Sequence, residues 1–425
     1  MLPSEVNGGR IGVTQLRQSA TTSEPEGERR FNLLWAGQAV SQLGDYLPYV
    51  SLPLFVKFLT DGTFEVALAY ALDTTPAMLV GFLGGALIDR FRLRTTMILT
   101  DLLRAVAFAY LAFVAWQGPV AGSRQGLVAV LTVAFVAGTL AAFFNGALFA
   151  AVPRLVARDR LAVANARLAS SLNLATMLGP ALAGILISSV GFWLTFAINS
   201  FTFVASATTV AFVGPIGETS GRATTRNYLS ESFEGLRHLW GDPRIRVATL
   251  GVAFVNFATG FIEGTLVIAF DLIGATEDWQ KGLLFTAMGA GALLGAVVAP
   301  RLIGRFGNGR VLVSGVIGFG ILFGFFVTST YGVLAFALMF LAFLVFQQIG
   351  IPYSTIRQKY TPDHLLGRVA TVSRAIAWST LPVGALIGAG LSDATDFGFV
   401  VRAAPILILL TGAVLIRTIV WRDTP

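Results

Sequence analysis

Three acidic residues stand inside otherwise apolar stretches: Asp45, Asp73 and Glu263. A charge at membrane depth costs about 2.5–3.5 kcal/mol on insertion scales, so a chain that keeps one there either uses it or pairs it. A carboxylate in a closing cavity must shed its charge or find a partner, which suits it to proton coupling or to contact with a substrate. The competing reading is a structural carboxylate bonded to a neighbouring helix. Gln38, Gln42, Asp45 and Tyr49 fall on one face of a helix, at i, i+4, i+7 and i+11. Asn256, Gly260 and Glu263 share another face, and Asp73 precedes Pro76, whose ring frees a backbone carbonyl. Asn145, Gln347 and Gln348 are further polar candidates for a substrate, against a plain role in interhelical hydrogen bonding. Phe143, Phe144, Phe257, Phe261, Phe346, Tyr353 and Trp378 could line an apolar pocket, although in a chain with 34 Phe packing is the commoner role.

The elements that must position these groups are apolar to an extent no water-soluble chain needs. The 425 residues are 55% hydrophobic and 12% charged, with mean hydropathy +0.74. Apolar runs occur near 32–57, 64–88, 96–117, 127–150, 164–188, 191–214, 247–271, 280–300, 311–329, 331–352, 367–391 and 398–420. Each is about the length that spans a bilayer as helix and too long for a barrel strand. The expected fold is an all-α polytopic membrane protein of twelve transmembrane helices. Residues 1–30, polar and without an apolar core, read as a disordered tail rather than a signal peptide. The expected units are then a six-helix bundle over 31–214, a linker over 215–246, a second bundle over 247–420 and a tail over 421–425. Leu229, Phe233, Leu236 and Trp240 give the linker the spacing of an amphipathic surface helix. Of the 30 basic residues, only Lys57, Arg124, Lys281 and Arg402 fall on one side of the runs, which places both termini and the linker in the cytoplasm.

The two halves also resemble each other. "LIDRF" (87–91) aligns with "LIGRF" (302–306), and "GPALAG" (179–184) with "VGALIG" (383–388). Two parallel pseudo-repeats of six helices are the pattern of a transporter that rocks about a central site, and the repeat sets Asp45 and Glu263 just beyond matching glycines, Gly44 and Gly260. "GAGALLG" (289–295) mimics a dinucleotide fingerprint but lies inside an apolar run, so Gly291 and Gly295 read as helix-packing positions. No nucleophile motif, ATPase motif or metal-ligand spacing occurs, there is no Cys, and the basic residues lie in short loops rather than on a nucleic-acid-binding face. An enzyme, a cofactor, a metal site and a nucleic-acid partner are not expected.

"GGALIDRFRLRTT" (84–96) resembles the signature of the major facilitator superfamily in the loop after the second helix. Gly85, Asp89, Arg90 and Arg94 match it, whereas Arg92 and Leu93 replace its glycine and an arginine. "SQLGDYLPYVSLPL" (41–54), "DLLRA" (101–105), "AVPRLVARDRLAVANA" (151–166) and "LGPALAG" (178–184) resemble the macrolide-efflux and siderophore-exporter branch of its drug/proton antiporters. Gly179, Pro180 and Gly184 resemble the helix-five antiporter motif of such exchangers. The resemblance implies alternating access, a cytoplasmic gate and a monomer in a bacterial plasma membrane. Asp89 would meet Arg368 or Arg374 at that gate, with Asp101 and Arg104 one turn apart nearby. The fourth run has no arginine, where many drug/proton exchangers carry one.

The expected function is a secondary transporter that exports an amphiphilic small molecule (drug-, macrolide- or siderophore-like) by proton antiport. Import or facilitation on the same fold is the alternative, and a membrane sensor without flux is a third reading.

Overall fold

The computed structural model describes residues 24–83, 92–118, 123–157, 160–216 and 228–422. Its helices are α1 (Glu24–Asp45), α2 (Pro48–Thr60), α3 (Thr63–Leu83), α4 (Leu93–Trp116), α5 (Arg124–Leu155), α6 (Leu161–Val190), α7 (Phe192–Val213) and α8 (Tyr228–Gly241). They continue as α9 (Pro243–Glu263), α10 (Leu266–Leu272), α11 (Asp278–Phe306), α12 (Asn308–Thr328), α13 (Val333–Lys359), α14 (Leu366–Ala394) and α15 (Phe397–Ile416). Among the described residues, 10 helices are long and apolar enough to cross a membrane: α4 to α7, α9 and α11 to α15. In lipid every backbone polar group must be satisfied internally, and a helix does this within one segment.

Two expectations change here. Helix α1 begins at Glu24, so the last part of the expected 1–30 tail is already helical. It is tied down by charge: Arg160 bonds Glu28 at 2.8 Å, and Arg30 donates to the Val213 carbonyl at 2.7 Å. The first and seventh apolar runs are each two helices rather than one. Pro48 has no N–H to give to the Gly44 carbonyl; the Leu47 amide takes it at 3.0 Å, and the chain restarts as α2. The second break falls at Gly264 and Thr265, where the Thr265 amide bonds the Ile262 carbonyl at 2.9 Å. A Cβ on Gly264 would lie 2.8 Å from that of Ala385, so glycine is needed there for packing and also weakens the helix.

The helices pack as two groups. In the first, α1 lies on α6 and α7, α3 on α5, and α4 between α5 and α7. In the second, α9 lies on α14 and α15, α11 on α13, and α12 on α13 and α15. Gly291 and Gly295 bring α11 against the Phe340 and Leu344 carbonyls of α13, the packing role expected of them.

The groups meet along two seams, α3 with α14 and α6 with α11. At one end of the molecule, called the far end, lie the α2–α3, α6–α7 and α12–α13 turns and the break between α10 and α11. There the Tyr331 amide bonds the Ile273 carbonyl at 2.5 Å, and Ala67 and Tyr70 of α3 pack on Ala385 and Ala389 of α14. The α6–α11 seam is a ladder of glycines. A Cβ on Gly184 would come within 2.6 Å of the Asp278 carbonyl, and one on Gly282 within 2.5 Å of the Pro180 carbonyl. The opposite, near end holds Glu28, Val213, Leu239 and Tyr360. Helix α8 docks there on α14, with Leu239 buried beside Leu365 and Val369.

Candidate functional site at the junction of the two groups

Both breaks open onto one cavity. Asp45 is the last residue of α1 and Glu263 the last of α9, so each acid stands at the break of an interrupted run. With Asp73 of α3 they line a space of about 320 Å³ that also touches Tyr46, Tyr49, Tyr70, Arg104, Phe108 and Phe285. Its wall is mostly apolar and aromatic with a few convergent polar groups, the composition of a small-molecule site. Two helix C-terminal ends add negative partial charge to the carboxylates. Tyr70 of the first group and Glu263 of the second line this space together.

Among the described residues of this cavity Arg104 is the cation. It rises from α4, beside α5, and its guanidinium sits 4.1 Å from the Phe203 ring centre and 5.0 Å from that of Phe144. It bonds Asp101, and its Nη1 stands 3.7 Å from the Asp45 carboxylate. The side chain of Asp45 is 41% accessible, against 4% for Arg104 and 0% for Asp101. Asp45 therefore faces the cavity, while the Arg104–Asp101 pair lies behind it. Of the pair expected at a cytoplasmic gate, Arg104 lines the first-group wall of the cavity, and Asp101 is buried behind it.

A second cavity, of about 720 Å³, lies toward the near end of the α3–α14 seam. It is lined by Asp73, Thr74, Asn145, Gly367, Arg374 and Trp378, among others. Asp73 and Thr74 line both spaces, so the carboxylate of Asp73 stands between the inner site and the near end. The groups are thus sealed at the far end and parted at the near end.

The remaining candidates divide. Gln42 accepts from the Ser171 hydroxyl at 2.8 Å, and Gln38 donates to Ser206 at 2.9 Å; both join helices of the first group. Asn256 is buried and donates to the Ala377 carbonyl at 2.7 Å, binding α9 to α14 away from the cavities. Gln348 donates to the Gly295 carbonyl at 2.9 Å, and Gln347 stacks its Cβ beside Gly295, so both serve the α11–α13 contact. Gly179 abuts Tyr46 of the α1 break, while Pro180 and Gly184 form the α6–α11 seam. Arg94 donates to the Ala211 carbonyl at 2.8 Å, and Arg368 bonds Glu234 of α8. Gly85, Asp89 and Arg90 lie outside the described residues, so their expected gate does too. Tyr49, expected on the polar face with Asp45, lines the cavity from α2, whereas Tyr70 and Thr74 of α3 were not singled out. Their signal in the sequence is proximity to Asp73.

Solved structures share this fold. The chain resembles a bacterial homologue of the human lysosomal transporter Spinster, inward-facing and unoccupied, with TM-score 0.69 and 13% identity over 94% of this chain and 98% of that one. It resembles equally, at TM-score 0.69 and 17% identity over 92% and 98%, a bacterial homologue of the iron transporter ferroportin in an inward-facing state. These helices around a shared cavity define a multi-pass membrane transporter of the major facilitator superfamily, and not an enzyme.

Within that superfamily the chain belongs to the transmembrane secretion effector family, whose pattern matches residues 20–423. It is 26% identical over 392 residues to the multidrug efflux pump Tap of Mycobacterium tuberculosis strain H37Rv, covering 89% of this chain and 91% of that protein. It is 23% identical over 409 residues to the enterobactin exporter EntS of Escherichia coli O127:H6, covering 93% and 94%.

Proposed function

We propose that this chain exports an amphiphilic small molecule by alternating access, driven by proton antiport. The observation that carries the reading is that Asp45 and Glu263, at the ends of α1 and α9 where two runs break, share one aromatic-lined cavity between the groups. Discontinuous helices that meet at mid-depth are how transporters of this kind build a substrate and ion site. When the cavity closes, a carboxylate on it must be neutralised by a proton or by a cationic group. Arg104, held by Asp101, gives Asp45 such a cation at 3.7 Å. Protonation of Asp45 would free Arg104 to pair wholly with Asp101, which links proton occupancy to the shape of the first group.

In this reading α1 with α2, α3, and α9 with α10 join the other long helices to make twelve crossings in two pseudo-repeats, 31–214 and 247–420. The near end, which carries most of the arginines, faces the cytoplasm, as do both termini. The cavity open to the near end is then the inward-open state of a monomer. The multidrug efflux pump and the enterobactin exporter among its relatives support outward transport and an amphiphilic cargo.

The test is flux from proteoliposomes under an imposed pH gradient, with a panel of amphiphilic drugs. Wild-type protein is expected to move at least one of them against its gradient, and Asp45→Asn and Glu263→Gln to lose that drive. Gradient-driven flux that survives both substitutions would overturn the assignment of coupling to this pair.

A further inference from the structure

The far-end seal contains an ion cluster that the central site does not use. Lys57 ends α2 in the first group; Asp271 lies in α10 of the second. The two pair across the junction through Oδ2 of Asp271. The other oxygen, Oδ1, accepts from Lys281 of α11 at 2.9 Å. Lys281 also stands 3.9 Å from Asp278 of its own helix. The cross-junction pair is a quarter exposed, with side-chain accessibilities of 26% for Lys57 and 25% for Asp271, whereas Lys281 is 4% accessible. Glu277 caps α11 beside them. One carboxylate is therefore shared by two lysines, one on each side of a seam that must part.

We propose that Lys57, Asp271 and Lys281 form a partner-exchange lock that holds the far face shut and opens without leaving a bare charge. This rests on the reading of the fold as one that alternates between faces, and not on the substrate or on proton coupling. A simple cross-seam pair would open at the full cost of stranding a partly buried carboxylate. Here Asp271 keeps Lys281 when Lys57 withdraws. The ammonium of Lys57, already a quarter exposed, passes into water at little cost. The second group then retains Asp271, Lys281 and Asp278 with net charge −1, while the first carries the +1 of Lys57, so each surface presents a solvated charge. The lysines have opposite duties: Lys57 favours the closed face, and Lys281 stabilises the carboxylate that the open face exposes.

The absence of Cys makes the test direct. Phe64→Cys of α3 and Thr276→Cys, beside α11, would carry spin labels, and pulsed dipolar spectroscopy in lipid nanodiscs would read the far-face distance distribution without substrate or pH gradient. Lys57→Gln is expected to raise the long-distance population about fivefold relative to the unsubstituted pair, the scale of a partly exposed ion pair. Asp271→Asn should do the same. Lys281→Gln should act in the opposite direction and deplete the long-distance population, since Asp271 then has Lys57 alone. Lys57→Arg should restore the starting distribution and shows that the labelled protein is folded. Two lysine substitutions that shift the population the same way, or leave it unmoved, would overturn the lock. Failure of proton-driven flux in the reconstitution above would leave these distances unchanged, so the two readings fail separately.

Discussion

Replacing Arg104 by Gln tests whether the cation behind Asp45 is held by Asp101 as a unit. The perturbation removes the guanidinium from a position where it is 4% accessible and leaves Asp101, which is 0% accessible, without its charge partner. Breaking one side of a buried pair costs about 3–5 kcal/mol, most of it the stranded charge. Asp101→Asn should cost much less, about 1 kcal/mol, because Arg104 keeps Asp45 at 3.7 Å and the faces of Phe203 and Phe144. The double variant strands nothing and loses packing and ring contacts, about 2 kcal/mol. The cycle then closes on a coupling energy of about 3 kcal/mol between the two residues. Denaturant-induced unfolding of the four proteins in detergent, followed by Trp fluorescence, measures it. Single-variant losses that add to the double within about 0.5 kcal/mol would show that Arg104 and Asp101 are independent, and would remove the basis for treating Asp45 as one end of a three-residue relay.

Asn256→Leu should lower stability by about 1 kcal/mol through the lost bond to the buried Ala377 carbonyl, which keeps its bond from the Thr380 hydroxyl at 2.9 Å, while gradient-driven flux persists; a thermal melt and a flux assay separate the two. Gly291→Leu drives a side chain into the Phe340 carbonyl and should abolish the peak of folded protein in size-exclusion chromatography, whereas Gly304→Ala, with open space around it, should leave that peak intact. Asn145→Trp should fill part of the 720 Å³ cavity and weaken binding of the larger transported drugs about tenfold or more, read by ligand-induced fluorescence, with smaller ones less affected. Arg368→Ala breaks a pair that is 33% and 50% accessible, so stability should change by under about 1 kcal/mol in the same melt.

The acids at the core of the candidate site were legible because an apolar chain leaves them nowhere to hide: Asp45, Asp73 and Glu263 all line the same cavity. The break after Asp45 has its cause in the sequence, in Pro48, but the run reads as one helix because other prolines, such as Pro76 and Pro180, sit inside helices. The break after Glu263 was not legible, because Gly264 and Thr265 look ordinary in a chain with 46 Gly, and only contact with Ala385 shows why glycine stands there. The structure sets Gln42, Asn256 and Gln347 against neighbouring helices, at Ser171, the Ala377 carbonyl and Gly295. A polar face on a membrane helix can turn to a cavity or to a neighbouring helix, and the sequence of one helix does not carry the identity of the next. Arg104 shows the same limit from the other side. The fourth apolar run lacked an arginine, and nothing in spacing reveals that α4 passes close enough to put one beside the rings of α5 and α7.

Helix α8 follows this logic into water. Its Phe233 and Trp240 are 67% and 48% exposed, while Leu236 and Leu239 turn to α14, so the face expected to be uniformly apolar is split between the protein and its surroundings. A Cβ on Gly235 would lie 2.8 Å from the backbone carbon of Arg368, and Arg368 in turn grips Glu234. Helix α14 continues from that contact through Gly367, Thr371, Arg374 and Trp378 along the wall of the larger cavity. The connecting segment is thus a tiller fixed to one side of the vestibule: an antibody fragment clamped on its outward face would be holding the cavity wall itself, at a site no cargo needs to touch.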